Sequence, residues 1–205
     1  DELKVVADAI SEITRQVGIK MCASLGSMDE EGFSMLKKAG LSRYHHNIET
    51  SPRYFSKVVT THTFEDRLKT IKAAKKAGFE VCSGGIIGLG ETREDRVDMA
   101  LILKELDVDS VPINVLVPIK GTPLEGQKGI SCFEAIRTIA IFRIILKDKI
   151  IKIAAGRESV LKDFQAMAFM AGANGMLIGG YLTIKGRGVD EDRKLVEEVN
   201  KLWMQ

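Results

Sequence analysis

The sequence has few cysteines and histidines, three of each, no long apolar run and almost no excess charge. No segment approaches the roughly 18 consecutive apolar residues of a membrane span, and the first ten residues are acidic and amphipathic, unlike a secretory leader. The 30 basic and 28 acidic side chains alternate and leave a net charge of +2. This balance provides no basic surface for nucleic acid. We therefore predict a cytoplasmic protein that binds neither nucleic acid nor membrane.

The three cysteines, Cys22, Cys82 and Cys132, cannot all pair with one another and lie far apart in the sequence. A secreted disulfide framework is thereby excluded, which leaves buried thiols or a metal site. Cys132 begins a predicted helix and is interpreted as an incidental, half-buried thiol.

The sequence does contain a repeated order of apolar run, helix-start signal, amphipathic stretch and glycine. Six runs are predicted to be strands: Ile19 to Leu25, Tyr44 to Ile48, Glu80 to Ile87, Ser110 to Val117, Ile150 to Ala155 and Gly175 to Ile178. Four pairs with capping-box spacing are predicted to begin helices: Ser27 with Glu30, Thr63 with Asp66, Thr92 with Asp95, and Ser131 with Glu134. Glycines 40, 78 and 172 are predicted to end helices, the last one a helix over Ser159 to Met170. With 45% hydrophobic residues, positions 1–205 can form one domain.

The alternation of strand and helix, about six times with short connections, predicts parallel strands with right-handed crossovers. Two α/β folds share this pattern, a doubly wound sheet and a (β/α) barrel. The stretch GGIIGLGE at residues 84–91 matches a dinucleotide-binding motif poorly, because its glycines fall at a strand end and a turn. We therefore favour a parallel (β/α) TIM-type barrel. A complete barrel has eight units in about 250 residues, so we expect an incomplete one that lacks its first quarter.

Polar residues at the carboxyl ends of the predicted strands are candidate site residues, because barrel active sites lie there. They are Cys22, Asn47, Glu49, Cys82, Asn114, Lys152 and Arg157. Cys22, Cys82 and Lys152 occupy similar places in alternate strands, whose side chains share layers inside a barrel. They are therefore predicted to face one another across the lumen. Cysteines that pack as small apolar groups are the alternative interpretation of both thiols.

The adjacent histidines His45 and His46 are predicted to point to opposite faces of a strand, so only one can enter the lumen. This arrangement argues against a zinc site, which needs more nitrogen or sulfur ligands. Asn47 and Glu49 share the face of His45. An imidazole, an amide and a carboxylate in line suit a polar organic ligand better than a metal.

Six segments follow one another along nearly the whole chain: YHHNIETSPRYF, VCSGGIIGLGETREDR, VPINVLVPIKGTPLE, AIRTIAIFRI, AAGRE and MAGANGMLIGGYLT. Together they resemble the biotin synthase family of radical S-adenosylmethionine enzymes. The resemblance implies a barrel with two iron–sulfur clusters. One, a 4Fe-4S cluster, cleaves S-adenosylmethionine to a 5′-deoxyadenosyl radical. The other, a 2Fe-2S cluster in the family, gives up the sulfur that converts dethiobiotin to biotin.

The resemblance also assigns roles to individual residues. Cys22 and Cys82 match cysteine ligands of the sulfur-donating cluster. Glu49 matches the carboxylate that holds the cofactor's ribose, and Arg67 matches the residue facing its methionine carboxylate. Ile86 matches an apolar contact with the adenine. Asn47 and Asn114 match asparagines at the cyclic urea of dethiobiotin.

Three departures from the family pattern qualify these roles. Neither a CxxxCxxC motif for the radical-generating cluster nor a further cysteine ligand of the second cluster is present, so we expect an N-terminally truncated chain that is inactive alone. Lys152 stands where the family has an arginine ligand to the second cluster, and a lysine could coordinate only after losing its proton. His45 stands where the family has another substrate asparagine, which changes the expected contact to dethiobiotin.

Two other functions remain open from the sequence. One is a related radical enzyme with a different substrate, such as a methylornithine synthase or a hydrogenase-cofactor maturase. The other is a non-radical barrel that binds a phosphorylated metabolite at Gly179 and Gly180. As partners of a biotin synthase, the resemblance implies dethiobiotin, an electron donor such as flavodoxin or ferredoxin, and a second copy in a homodimer.

Overall fold

A computed structural model of the chain describes residues 2–179 and 186–203. Seven strands are β1 (Cys22–Ala23), β2 (Arg43–His45), β3 (Glu80–Cys82), β4 (Gly85–Ile87), β5 (Ser110–Val115), β6 (Ile150–Ile153) and β7 (Gly175–Met176). The helices are α1 (Glu2–Val17), α2 (Glu30–Lys38), α3 (Pro52–Phe55), α4 (Phe64–Lys76), α5 (Arg93–Glu105), α6 (Cys132–Leu146), α7 (Arg157–Val160), α8 (Gln165–Met170) and α9 (Val189–Trp203), with a 3₁₀ turn at Lys162–Phe164. In the described ranges, no helix is long and apolar enough to cross a membrane.

The strands form one parallel sheet in the order β1-β2-β3-β5-β6-β7, with β4 also paired to β5. β3 and β4 pair with β5 in the same register, Cys82 opposite Ser110 and Gly85 opposite Ile113. They are thus one strand, predicted as Glu80 to Ile87, interrupted at residues 83 and 84. The sheet occupies six strand positions with β1 and β7 at its two ends. The prediction of an incomplete TIM-type barrel of about six units is confirmed.

The two faces of the sheet differ sharply in chemistry. Tyr44, Val81, Val111 and Ile151 are fully buried against the helices, in the main hydrophobic core. Their strand neighbours alternate to the other side, as the pleat requires. These include Cys22, Arg43, His45, Glu80, Cys82, Ser110, Asn114 and Lys152. The inner side of the curved sheet, here called the lumen face, is therefore the polar side.

Two of the four predicted capping boxes are complete, those at Thr63 with Asp66 and at Thr92 with Asp95. Ser131 caps α6, but the Glu134 carboxylate binds arginines on neighbouring turns and helices instead of the cap amide. The prediction at Ser27 is wrong, because the Asp29 side chain accepts the bond from the Gly32 amide. Aspartate is as good an N-cap as serine, and it stands immediately before the helix.

The helix predicted over Ser159 to Met170 is broken. α7 ends at Val160 and α8 starts at Gln165, with Lys162 between them in the left-handed region at φ 48°. The strands are also shorter than predicted, since β1 pairs over two residues only. Glycines 40, 78 and 172 all have positive φ after a helix end, as predicted.

Candidate functional site

The predicted site residues fall into two groups on the lumen side of the sheet. Cys22, Cys82, Lys152 and His45 lie within the strands. The second group lies near or beyond the carboxyl ends of β2, β4 and β5 and includes one residue of α4, Arg67. Its members are Asn47, Glu49, Arg67, Ile86 and Asn114. We call the first group the thiol group and the second the mouth group.

The thiol group contains two cysteines and an amine. Lys152 Nζ lies 3.8 Å from Cys82 Sγ, which is also 3.8 Å from the hydroxyl of Ser110. Cys82 is 4% exposed, whereas Cys22 on the end strand is exposed. Desolvation by the surrounding protein raises the pKa of the Cys22 thiol, and the neighbouring Cys82 raises it further. The positive charges of Arg43 and Lys152 lower this pKa. The three predicted residues therefore share one electrostatic environment.

Sequence reasoning missed an ion pair in this group. The Arg43 guanidinium lies 2.6 Å from the Glu80 carboxylate on the adjacent strand. Arg43 is in register with Cys22, and Glu80 lies on the same strand as Cys82. The pKa of Glu80 is lowered by the hydrogen bond from Arg43 and by its charge. Because Arg43 and Glu80 begin their strands, each resembles a solvated residue before a β run. Only the register shows that they face the lumen.

Thiolates are the preferred ligands of iron–sulfur clusters. The two thiols are a partial donor set for such a cluster, which Lys152 could join only after losing its proton. Within the described residues, no group of three or more histidine, cysteine, aspartate or glutamate side chains could hold a metal ion. The described chain thus places two cysteine thiols at this position, and their donor chemistry fits an iron–sulfur cluster better than a hard divalent cation.

The mouth group depends on two glycines that allow a very close backbone approach. A Cβ atom on Gly84 would lie 2.0 Å from the carbonyl oxygen of Pro112, and one on Gly85 would lie 2.3 Å from that of Glu49. No side chain fits at either position. The amides of Ile48 and Glu49 donate to the Gly84 carbonyl. The glycine pair thereby fixes the loop after β2 against the interrupted strand.

Asn47 and Glu49 lie on this loop and not on β2, which ends at His45. Asn47 Oδ1 accepts a hydrogen bond from the Gly84 amide at 3.0 Å. Glu49 has a φ of 67°, in the left-handed region that few non-glycine residues adopt, and forms a bridge with Gly85. The prediction that His45, Asn47 and Glu49 stand in line along one strand is therefore replaced by a turn, which separates His45 from Glu49.

Glu49 and Arg67 are adjacent. Arg67 Nη1 lies 3.4 Å from the Glu49 carboxylate and 3.2 Å from the Asn47 carbonyl oxygen, to which it donates. Burial raises the pKa of Glu49, although the Arg67 charge and a hydrogen bond from the Asn47 side chain act in the opposite direction. The two residues assigned to different ends of one cofactor by resemblance lie side by side in the structure.

Asn114 and Ile86 complete the mouth group on neighbouring strands, in direct register with each other. The Asn114 amide donates to the Gly85 carbonyl at 3.2 Å, and its oxygen accepts from the Ala155 amide at 3.1 Å. Ile86 is partly exposed and its amide donates to the Glu49 carbonyl. Asn114 thus binds backbone through its amide and its oxygen, whereas Asn47 binds backbone through its oxygen and donates to Glu49. Each side chain keeps one N–H and one lone pair for a ligand.

The histidines separate as predicted. Burial lowers the pKa of His45, and the charge of Lys152 lowers it further. Burial lowers the pKa of His46 to about 4, with smaller effects from Arg67, His45 and His62. His45 thus belongs with Lys152 and His46 lies near Arg67. The pKa of each ring is thus shifted toward the neutral form.

Arg157, a candidate at the end of β6, does not face the lumen site. It is 1% exposed, and its guanidinium lies 2.5 Å from the Asp192 carboxylate of α9. Its Nε donates to the carbonyl of Leu177. Arg157 therefore joins α9 to the last strand. Of the two glycines suggested for a phosphate site, Gly180 lies outside the described residues.

Two family models match the chain. Residues 2–114 match the Radical SAM superfamily, and residues 112–201 match the Biotin and Thiamin Synthesis associated domain. The biotin synthase of Thermotoga neapolitana is 57% identical over 203 residues, which are 98% of this chain and 72% of that protein.

This chain belongs to the biotin synthase family.

Further members are similar over nearly the whole chain. The biotin synthase of Thermotoga petrophila is 54% identical over 98% of this chain and 67% of its own length, and that of Carboxydothermus hydrogenoformans is 51% identical over 97% and 61%. The chain thus spans 61 to 72% of these three biotin synthases. Membership of the biotin synthase family implies S-adenosylmethionine and iron–sulfur clusters as cofactors.

Solved structures of radical enzymes share the fold. A methylornithine synthase superimposes with a TM-score of 0.81 at 20% identity, over 97% of this chain and 62% of that one. The FeFe-hydrogenase maturase of Carboxydothermus hydrogenoformans superimposes with a TM-score of 0.78 at 19% identity, over 96% and 51%. At these identities the likeness establishes the shared barrel of the biotin synthase chain and these enzymes, and no shared substrate.

Proposed function

We propose that residues 1–205 form one barrel domain of a biotin synthase, without the part that binds the radical-generating cluster, and that this domain serves the insertion of sulfur into dethiobiotin. The observation that supports this most directly is the placement of Cys22 and Cys82 on one lumen face, below a mouth formed by Asn47, Glu49 and Asn114. A thiol pair inside a barrel and amides at its mouth suit a sulfur donor next to a cyclic urea.

S-adenosylmethionine and its cluster supply, when bound, a radical able to break unactivated C–H bonds, which no side chain can do. The chain's residues hold the cofactor. In this assignment Glu49 accepts hydrogen bonds from the ribose hydroxyls, Arg67 pairs with the methionine carboxylate, and Ile86 covers the adenine. Glu49 and Arg67 neutralise one another at 3.4 Å, so the mouth is preorganised without an isolated charge.

Dethiobiotin is proposed to bind between the two asparagines. Each keeps one N–H and one lone pair after its contacts within the protein, which matches the acceptor and donors of a urea. In its neutral form, which the lowered pKa favours, the His45 ring can donate one further hydrogen bond and accept one. Because the backbone contacts fix the asparagine side chains, their free groups are directed toward the lumen at little entropic cost.

Cys22 and Cys82 are proposed as ligands of the sulfur-donating cluster, a 2Fe-2S cluster as in the family, with Lys152 beside it. The raised pKa of Cys22 favours the protonated thiol, so cluster binding would be accompanied by proton release. An electron donor such as flavodoxin or ferredoxin and a homodimer complete the proposal, by analogy with the family alone.

The test of the ligand assignment is an anaerobic reconstitution of the chain with ferrous iron and sulfide. Wild type, Cys22→Ala, Cys82→Ala and Cys132→Ala are compared for bound iron and sulfide. We expect the first two variants to lose cluster binding and Cys132→Ala, whose thiol lies at the start of α6, to match wild type. Equal iron content in all four proteins contradicts the assignment.

The test of the reaction uses a chimera in which this chain replaces the matching region of the Thermotoga neapolitana biotin synthase. The reconstituted chimera is supplied with S-adenosylmethionine, a reductant and dethiobiotin. We expect both 5′-deoxyadenosine and biotin as products. Formation of 5′-deoxyadenosine without biotin, when the parent enzyme makes both, contradicts the substrate assignment.

A second candidate is a radical enzyme with a different substrate. It is favoured by one observation, that Lys152 and His45 lie together at the positions where the family has arginine and asparagine. Replacement by the family residues, Lys152→Arg with His45→Asn, distinguishes the two. Higher biotin yield from the chimera after this change supports a different natural substrate, and unchanged or lower yield supports biotin synthase.

A further inference from the structure

The three histidines of the chain lie near one another, and His62 has no part in the roles assigned so far. We propose that His62 is a positioning residue for Arg67: it holds the guanidinium at Nε so that the other end of the group faces the carboxylate of the bound cofactor. This inference depends on the proposed function, because it concerns the residue assigned to that carboxylate.

Arg67 has partners on two of its three nitrogens. Nε donates to His62 Nε2 at 2.8 Å, and Nη1 donates to the Asn47 carbonyl and faces Glu49. Among the described residues, no hydrogen bond or ion pair is made by Nη2. The guanidinium is planar and its five N–H groups have fixed directions. Holding Nε and Nη1 therefore fixes where the N–H groups of Nη2 point.

The contact with Arg67 determines the protonation of His62. A guanidinium can only donate, so Nε2 of His62 must be the acceptor and its proton must be on Nδ1. Nδ1 lies 3.0 Å from the Thr61 hydroxyl, which can accept this proton's hydrogen bond. Both ring nitrogens are thus satisfied by the neutral Nδ1–H tautomer alone. A doubly protonated ring would lose the acceptor and place two cations in contact.

The ring itself is held by aromatic packing. His62 meets Phe55 edge to face at 5.7 Å between centroids, and Phe55 meets Phe64 in the same manner at 5.5 Å. Phe55 is 3% exposed and anchors this cluster in the core. The groups that face His62 are Arg67 from α4 and, at longer range, His46 and Glu49 from the segment after β2. A phenylalanine at position 62 could provide the same packing. The Nε2 acceptor of His62 is therefore the feature that packing does not explain.

Two variants separate the acceptor from the packing. His62→Gln keeps an acceptor oxygen near the position of Nε2, whereas His62→Phe keeps the ring and removes the acceptor. Arg67→Lys provides the reference for loss of the arginine fork. The dissociation constant of S-adenosylmethionine is measured by equilibrium dialysis with the reconstituted chimera described above, carrying the wild-type sequence or one of the variants. We expect it to rise about tenfold in His62→Phe and to stay within about threefold of wild type in His62→Gln.

A second measurement does not depend on ligand binding. In wild-type chain labelled with ¹⁵N-histidine, the three rings give separate signals, and we expect His62 as the Nδ1–H tautomer with an unprotonated Nε2. The Nε–H proton of Arg67 is expected to be protected from exchange in wild type and His62→Gln, and unprotected in His62→Phe.

The outcomes separate the inference from the proposed function. If Arg67→Lys weakens binding and His62→Phe does not, His62 has no positioning role while the cofactor site stands. If neither change affects binding, or wild type takes up no cofactor, the assignment of Arg67 to the carboxylate fails and the inference fails with it. An Nε2–H tautomer of His62 in wild type overturns the inference independently.

Discussion

His46 is 5% exposed, and its Nε2 has no hydrogen-bond partner among the residues that the structure describes. Its pKa of about 4 lies below the ordinary value of about 6.5 for histidine in an unfolded chain. The folded state therefore requires the neutral ring. Its contribution to stability is complete above about pH 6.5 and is lost as the pH falls toward 4, by roughly 2 to 3 kcal/mol at pH 4.5.

We predict that His46→Leu, which cannot take up a proton, makes the chain less sensitive to acid. Urea unfolding of wild type and variant is measured at pH 7.5 and pH 4.5. The wild type should lose roughly 2 to 3 kcal/mol more than the variant between these two conditions. His62→Gln is the matched histidine control. An equal pH dependence in wild type and His46→Leu contradicts the prediction.

The positions of Asn47, Glu49 and Asn114 near the carboxyl ends of the strands were predictable, because a strand end and a family motif coincide there. Their hydrogen bonds to Gly84, Gly85 and Ala155 were not predictable, because these depend on a backbone approach that no local pattern encodes. Arg157 looked equivalent to Lys152 in the sequence. The difference is made by α9, a distant helix whose Asp192 pairs with it.

Among the helices, α5 depends on one buried carboxylate that also serves α3. Asp95 Oδ2 accepts from the Thr92 amide and hydroxyl at the start of α5, and Oδ1 accepts from Ser51, the N-cap of α3, and from Arg53. Although burial alone would raise the pKa of Asp95, these hydrogen bonds lower it well below its usual range. One side chain thereby connects two helix starts.

We predict that Asp95→Ala lowers the free energy of unfolding by about 2 to 3 kcal/mol at pH 7, since it leaves buried donors without an acceptor. The folded-state pKa is depressed, so this loss is full above the unfolded value near pH 4 and shrinks as the pH falls below it. Urea unfolding from pH 7 to pH 3 checks both points. Asp66→Ala, at the same capping position of the more exposed α4, should cost less. An equal cost in the two variants contradicts the double role.

The last helix, α9, is held by a charge pair in the interior. Asp192 is 0% exposed and Arg157 is 1% exposed, and Gln165 also binds the guanidinium. Asp192→Ala should destabilise the chain by about 3 kcal/mol, because it leaves a buried cation with fewer partners. Asp190→Ala, whose carboxylate is exposed on the same turn, should have little effect. Hydrogen exchange checks the location: loss of protection confined to α9 and its neighbours is expected, and uniform loss would contradict it.

Element type was easier to predict than element length. The capping boxes at Thr63 and Thr92 succeed because serine or threonine with an N3 carboxylate satisfies two local donors. The single predicted strand over residues 80–87 is interrupted because Gly84 and Gly85 bring two backbones closer than a Cβ would allow. Such an interruption arises from tertiary contact, and the local sequence still reads as one β run.

For the whole molecule, the fold was predictable because strand and helix alternate with a regular order, which only parallel α/β architectures satisfy. The exposure of the lumen face was not predictable, because it depends on which strand lies at the end of the sheet. β1 lies at one end, so Cys22 is exposed, whereas Cys82 two positions inward is enclosed by its neighbours. The two thiols of one proposed site are therefore chemically unequal.

This inequality predicts the order of alkylation in the folded, cluster-free chain. Cys22 should react with iodoacetamide about tenfold or more faster than Cys82, because only the exposed thiol is reached without local opening. Cys132, half-buried at the start of α6, should react between them. Since the pKa of Cys22 is raised, its rate should still be increasing above pH 9, where an unperturbed thiol is largely ionised. Mass spectrometry of the three tryptic peptides against time gives each rate. Equal rates for Cys22 and Cys82 would contradict the prediction. They would mean that the lumen face opens as a unit and that both thiols are equally accessible.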